Sequence, residues 1–297
     1  MYDIIVCGGG PAGITAAIYA KRYGLQVLVI EKLFIGGQAA ITSAIENYPG
    51  CAETVSGVEF AASLKTQLDN MEIPVKYAEI QKFELSGKVK KVYTKSEVFE
   101  AKAVILAMGT KPRTLGVSGE EKFSGRGVSY CATCDGAFYR GKTAMVVGGG
   151  NTAAEDCIFL SRLCKKVYLV HRRSELRAHP YLCEEIEKLE NTEILYNAIV
   201  TEICGETRVE SFKIMQDGNE TTLAADGIFV AIGTLPQTEL VKDTVKTENG
   251  YIITDAKMHT NIEHIYAAGD VTKKSLRQIV TAAADGAVAA QTAAAEI

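Results

Sequence analysis

Residues 2–32 read YDIIVCGGGPAGITAAIYAKRYGLQVLVIEK, and residues 142–173 read KTAMVVGGGNTAAEDCIFLSRLCKKVYLVHRR. In the first stretch an apolar run, Ile4–Cys7, meets Gly8-x-Gly10-x-x-Gly13. An alanine-rich helical stretch follows, and a second apolar run, Val27–Ile30, closes the unit. The second stretch repeats the scheme: Ala144–Val147, then Gly148-x-Gly150-x-x-Ala153, a helical stretch and Val167–Val170. Strand, glycine turn, helix and strand make the βαβ unit that opens a parallel sheet. A single glycine triplet is a weak signal, but two copies in the same strand–helix frame predict two nucleotide-binding modules. The glycines permit a tight turn and let backbone N–H groups approach a pyrophosphate at a helix N-terminus.

Two later echoes set the layout. Residues 103–112, AVILAMGTKP, resemble residues 227–236, GIFVAIGTLP, and each reads as the closing strand of one module. HIYAAGDV at 264–271 has no counterpart in the second module. The simplest arrangement inserts module two into module one, as close domain termini permit. The expected fold is α/β with two Rossmann-like nucleotide-binding domains, the second inserted into the first. Residues 1–112 and 243–297 would form one domain, and residues 113–242 the other. The alanine-rich end, TAAADGAVAAQTAAAEI, reads as a packed helix.

The modules differ where the second strand ends. Glu31 and His171 each stand 23 residues beyond the first glycine of their motif. An acid at that place accepts from ribose hydroxyls, so module one suits an unphosphorylated ribose, as in FAD or NAD. Module two has His171, Arg172 and Arg173, then Arg177. Guanidiniums present planar forks of donors to phosphate oxygens, so this site suits the 2′-phosphate of NADPH. The bland alternative is a solvated basic helix start. Asp270 of AAGDV would accept from ribityl hydroxyls, and a helix beginning near Leu276 would place its positive end toward a reduced flavin. Asp270 as a plain helix cap is the alternative.

Of eight cysteines, only Cys131 and Cys134 have motif spacing, in CATC. A zinc site needs about four ligands, and no second CxxC or HxxxH completes one, so no metal is expected. A four-residue ring is a poor structural staple, at about 2 kcal/mol in the loop-entropy model, and suits opening and closing. CxxC pairing lowers one thiol's pKa toward about 7 and supplies a thiolate for exchange. Asp135 follows directly and can donate or accept the proton, or serve as a turn residue with Gly136. The remaining cysteines read as core.

Composition narrows the classes further. Lys+Arg 32 against Asp+Glu 36 gives a net charge of −4, which disfavours nucleic acid or an anionic membrane as partner. No apolar run approaches the ~20 residues that span a bilayer. MYDIIVCGGG lacks a charged start and a cleavage site, so a cytoplasmic, reducing setting is expected.

GGGPAG (8–13), GGQ (36–38), ENYPG (46–50), CATCDGAFYR (131–140), GGGNTAAE (148–155), HRRSELRA (171–178), AAGDV (267–271) and RQIVTAAADG (277–286) together resemble the low-molecular-weight thioredoxin reductases along nearly the whole chain. The resemblance implies one FAD per chain, NADPH as reductant, thioredoxin as protein substrate and a homodimer. It places Cys134 beside the flavin, makes Cys131 the thiol that attacks the partner disulfide, and makes Asp135 the acid. Gly8, Gly10, Pro11, Ala12, Gly13 and Glu31 would bind FAD. So would Gly37, Gln38 and Asn47, and beyond them Asp270, Arg277, Gln278 and Ile279. Gly150, Asn151, Thr152, His171, Arg172, Arg173 and Arg177 would bind NADPH. Met108 in AMGT departs from the commoner Thr, and the second module is somewhat short.

The implied route runs from NADPH to FAD, to the Cys131–Cys134 disulfide and to thioredoxin by dithiol exchange. The inserted module carries both dithiol and NADPH site; if both need the same side of one isoalloxazine, its rotation about hinges near 111–116 and 240–244 is expected. Rival readings are a reductase fed by ferredoxin, an oxidase of small dithiols, and a nucleotide-binding redox sensor.

Overall fold

A computed structural model describes residues 1–42 and 45–297. The chain divides into two compact units, Met1–Lys111 with Leu235–Ile297, and Pro112–Thr234. Both are α/β units of one build, as the two quoted stretches predict.

In the first unit the strand Tyr2–Cys7 pairs in parallel with Val27–Glu31 on one side and with Val98–Leu106 on the other. Ile4, Ile5, Val6 and Cys7 are all fully buried, because a parallel strand is covered on both faces and needs an unbroken apolar run. Val98–Leu106 is long enough to serve two further neighbours in turn. Its first half pairs antiparallel with Lys90–Thr94, and its second half in parallel with Ile265–Ala267. The HIYAAGDV segment therefore belongs to this sheet.

The helix Pro11–Arg22 starts at Gly10 with proline in its first turn, a position whose missing N–H costs nothing. It packs along the terminal helix Ile279–Glu296. At their crossing a Cβ on Gly286 would stand 2.1 Å from the Ala12 carbonyl, so only glycine permits the approach. Alanines 12, 16, 17 and 20 of one helix and 282, 289, 290 and 293 of the other share one core.

The second unit repeats this plan. Thr143–Gly148 lies between Lys166–Val170 and Gly227–Ala231, all parallel, with Thr192–Leu195 beyond the former. The helix Asn151–Ser161 follows the glycine turn. A three-stranded antiparallel sheet, Ala198–Cys204, Ser211–Gln216 and Asn219–Ala224, turns at Asp217 and Gly218. Both turn residues have positive φ, 47° and 83°, the primed turn that suits the strands' twist.

Among the elements that the sequence reading did not name is an edge strand. Val128–Ser129, only two residues long, pairs in parallel with Gly227–Ala231 and makes the sheet edge. Cys131 follows this strand, so the cysteine pair sits between an edge strand and the first strand of the βαβ unit. The return to the first unit falls at Leu235. From there the Gln237 N–H donates to the Gly109 carbonyl at 3.0 Å, and Val241 is buried with Cys7 and Ile252.

Candidate functional site

The turn after Tyr2–Cys7 is shaped by contacts that exclude side chains. Gly8 has φ +114°, and a Cβ on Gly13 would lie 1.9 Å from the Gly8 carbonyl oxygen. Gly37, at φ +54°, comes so near that its Cβ would stand 3.2 Å from Gly10 Cα. The Gly36 N–H donates to the Gly9 carbonyl at 2.8 Å, which ties GGQ to GGGPAG. Gly10 caps the helix without a side chain, leaving the first N–H groups as donors at its positive end. Glu31 closes the turn from behind: Oε2 accepts from Gly9 N–H at 2.7 Å and Oε1 from Leu33 N–H at 2.8 Å. A carboxylate has about four lone-pair sites, so both oxygens retain capacity for ribose hydroxyls.

AAGDV reaches the same helix start, where a Cβ on Gly269 would meet Ala12 Cβ at 2.7 Å. Asp270 lies in a short 3-10 turn, Gly269–Val271, whose cap is Ala268, so it is not a plain helix cap. Its Oδ1 is buried with no hydrogen-bond partner. Burial pushes the carboxyl's pKa upward, against the opposing pull of Lys274 and Arg277. Arg277 stacks 4.1 Å over Tyr251 and donates to the Asp270 and Thr272 carbonyls. Asn47 Nδ2 donates to Gln278 Oε1 at 3.0 Å, joining two distant expected residues. Gln278 caps the terminal helix, which begins at Ile279 rather than near Leu276. Gln38 lies in the 3-10 turn Gly37–Ile41. Met108 packs against the Cys7 core, and its carbonyl accepts from Gln237 Nε2.

In the second unit a Cβ on Gly150 would meet nothing within 4 Å, so the helix start is open. Thr152 is exposed there, and Asn151 Oδ1 accepts from the His179 N–H at 2.9 Å. Arg172, Arg173 and Arg177 are exposed, and among the described residues no ion pair takes any of them. His171 is separate from this group. It is 4% exposed, and a Cβ on Gly149 would fall 2.1 Å from its ring. Burial lowers its pKa, so the imidazole is held neutral as a prop beneath the glycine loop.

The Cys131–Cys134 pair is a disulfide with Cα atoms 5.3 Å apart. Cys131 caps the short helix Ala132–Asp135. The Cys131 carbonyl accepts from the Asp135 N–H at 3.1 Å, and Thr133 Oγ1 lies 3.4 Å from Cys131 Sγ. A Cβ on Gly136 would meet Phe159 at 2.8 Å, so the glycine lets this segment seat on the helix Asn151–Ser161. Tyr139 packs edge-on to Phe229, and burial pushes its hydroxyl up to about 12.

Comparison with known proteins agrees with this arrangement. Residues 2–286 match the family described as pyridine nucleotide-disulphide oxidoreductase. A thioredoxin reductase of Treponema pallidum is 43% identical over 100% of this chain and 97% of its own. The crystal structure of thioredoxin reductase from Streptococcus pyogenes is 44% identical, with TM-score 0.92 over 99% of this chain and 97% of that one. This chain belongs to the thioredoxin reductase family. A ferredoxin-flavin thioredoxin reductase from Clostridium acetobutylicum is 35% identical, with TM-score 0.54 over 99% and 97% of the two chains.

Membership in the thioredoxin reductases makes the chain a disulfide-reducing flavoprotein whose cofactors are a flavin and a pyridine nucleotide. The first unit suits a flavin nucleotide, because the unpartnered Asp270 oxygen calls for a hydroxyl donor and the Gly10–Gly37 approach leaves backbone donors open. The second unit suits an anionic nucleotide through its unpaired arginines.

Sequence reasoning missed several residues in these sites. Asp285 accepts from the Gly269 N–H at 3.0 Å and pairs with Lys274, fixing AAGDV from the terminal helix. Glu120, 4% exposed, accepts from Leu115 N–H, Gly116 N–H and Tyr130 OH, and braces the approach to the cysteines. Ser129 was missed too. No local motif marks any of them, since each acts on a partner brought near by folding.

Proposed function

We propose that this chain is an NADPH-dependent thioredoxin-disulfide reductase with one FAD, working as a cytosolic homodimer. The single observation that carries the reading is the Cys131–Cys134 disulfide, followed by Asp135 and held in one unit with an arginine-rich nucleotide motif. Met1 to Lys111 with Leu235 to Ile297 is the proposed FAD domain, and Pro112 to Thr234 the proposed NADPH domain. Among the described residues no helix is long and apolar enough to cross a membrane.

Each residue has a proposed task. Gly10, Pro11, Ala12 and Gly13 present the helix start to the FAD pyrophosphate, with Gly8 making the turn and Gly37 the opposite wall. Glu31 holds the ribose, and Asp270 takes a ribityl hydroxyl. Gln38, Asn47, Arg277, Gln278 and Ile279 complete the wall. Gly150, Asn151 and Thr152 present the second helix start. Arg172, Arg173 and Arg177 hold the 2′-phosphate, while His171 backs the loop. The chemistry a bound flavin supplies is conversion of a hydride into two electrons that a disulfide can accept. Cys134 is the thiol on the flavin side, Cys131 attacks the partner disulfide, and Asp135 carries the proton.

Anaerobic addition of NADPH to the purified yellow protein tests this directly. Expected is bleaching of the visible flavin band, then reduction of thioredoxin. Cys134→Ser should keep the yellow colour and lose disulfide reduction; wild-type turnover by that variant would overturn the dithiol assignment. The Clostridium structure favours one other reading, ferredoxin as donor. A flavin that stays oxidised with NADPH and bleaches with reduced ferredoxin would establish it.

A further inference from the structure

Ser129 ends the edge strand, two residues before Cys131, and is 5% exposed. Its Oγ accepts from the Cys131 N–H at 3.1 Å. Its hydroxyl faces Asp135 Oδ2 at 2.7 Å and the Cys131 carbonyl at 3.3 Å. A hydroxyl has one proton to give, and the shorter, charge-assisted bond to the carboxylate takes it. One side chain therefore joins the amide of the attacking cysteine to the carboxylate four residues later. Ser129 is itself in register with Phe229 in the parallel sheet. Its anchorage lies in that sheet, outside the four-residue helix that holds the disulfide.

We propose that Ser129 is a positioning residue for thiol–disulfide exchange, holding the Asp135 carboxylate at the Cys131 end of the pair. The inference rests on the reading of Asp135 as proton carrier given above. In the step considered, the Cys131 thiol gives its proton to the Asp135 carboxylate. The Cys131 thiolate then attacks the partner disulfide: a Cys131–partner S–S bond forms and the partner's own S–S bond breaks. The departing partner thiolate takes the proton from Asp135. The Cys134 sulfur then attacks Cys131 Sγ of the mixed disulfide: the Cys131–Cys134 bond forms, the Cys131–partner bond breaks, and the second partner sulfur takes the Cys134 proton, so the released partner has gained two electrons and two protons.

A hydroxyl that donates to the carboxylate fixes its direction. Asp135 also acts electrostatically on Tyr139, which has Asp226 and Cys164 near it and Lys142 Nζ 5.6 Å from its ring centroid. The helix Asn151–Ser161 and the turn after it meet this segment at Gly136 through Phe159, Leu160 and Leu163.

The test uses the reduced, flavin-loaded protein and a small aromatic disulfide, whose released thiolate is read by absorbance. Rates are measured across the range where carboxylates and thiols titrate. Asp135→Asn should erase the acid limb of the profile. Ser129→Ala should slow exchange about tenfold in the parent and have no further effect in an Asp135→Asn background, and Ser129→Thr, which keeps the hydroxyl, should follow the parent. If Asp135→Asn keeps the limb, the proton-carrier reading fails. If Asp135→Asn erases it while Ser129→Ala slows exchange as much in the Asp135→Asn background as in the parent, the Ser129 inference alone is overturned. Ser129→Thr matching Ser129→Ala would overturn it as well. Should Ser129→Ala not fold, Ser129→Gly removes the same hydroxyl without added bulk and is held to the same outcomes.

Discussion

Arg172, Arg173 and Arg177 stand in water with no carboxylate partner among the described residues, so their donors are available to an incoming phosphate. Charge-assisted bonds of this kind contribute about 1.5–3 kcal/mol each, less where solvent screens them. Arg172→Ala with Arg173→Ala should therefore raise KM for NADPH on the order of thirtyfold and leave KM for NADH nearly unchanged. Steady-state kinetics with both nucleotides checks this, and an unaltered ratio would refute the 2′-phosphate assignment. The arginines were legible because they follow a glycine motif at a fixed distance. His171 shares that distance, yet its burial under Gly149 was not legible, since spacing along a chain does not say which side of a loop a ring occupies. Ser129 was hidden for a related reason. Its partners Cys131 and Asp135 are close in sequence, but only the sheet pairing turns its hydroxyl toward them.

The terminal helix shows what an element adds. Its alanine-rich sequence announced a packed helix, and Gly286 explains how closely it packs. Gly286→Ala would put a methyl against the Ala12 carbonyl, so the two helices must part. Overpacking of this kind costs about 2 kcal/mol, and a thermal melt should show a loss of about 5 °C. At its far end Glu296 accepts from Tyr266 OH at 2.7 Å and meets His259 Nε2 at 2.9 Å, while Asp255 meets His259 Nδ1 at 2.8 Å. The bonds to Asp255 and then Glu296 raise the His259 pKa above its ordinary 6.5. The stabilisation is thus complete below pH 6.5 and is lost as pH rises through the raised value. Asp255 and Glu296 are lowered, so acid removes their share only below the ordinary carboxylate range. Hydrogen exchange at residues 292–296, corrected for intrinsic rates, should accelerate above neutrality in the parent and lose that pH dependence in His259→Gln. Equal profiles would contradict the sign.

At the scale of the molecule, the chain passes between the two units at Lys111–Pro112 and at Thr234–Leu235. The dithiol and the arginines share one unit and AAGDV lies in the other; if both must reach the same side of the flavin, the proposed relay needs the units to reorient during turnover. A cross-link engineered between the units should leave FAD bound and abolish thioredoxin reduction; full turnover in the linked protein would exclude the reorientation. The doubled glycine motif made both units legible. The return at Leu235 was not, because residues 235–242 carry neither period and join the first unit through contacts of individual residues, among them Gln237, Thr238 and Val241. One further consequence concerns the thiols outside the relay. Cys7, Cys157 and Cys164 are buried, and burial drives their acidity down, with Cys157 pushed up to about 12 and Cys164 to about 11. At neutral pH almost none of their sulfur is anionic, so none competes as a nucleophile while the four-residue ring opens and closes. The Cys131–Cys134 pair can thus turn over without drawing these three buried thiols into exchange.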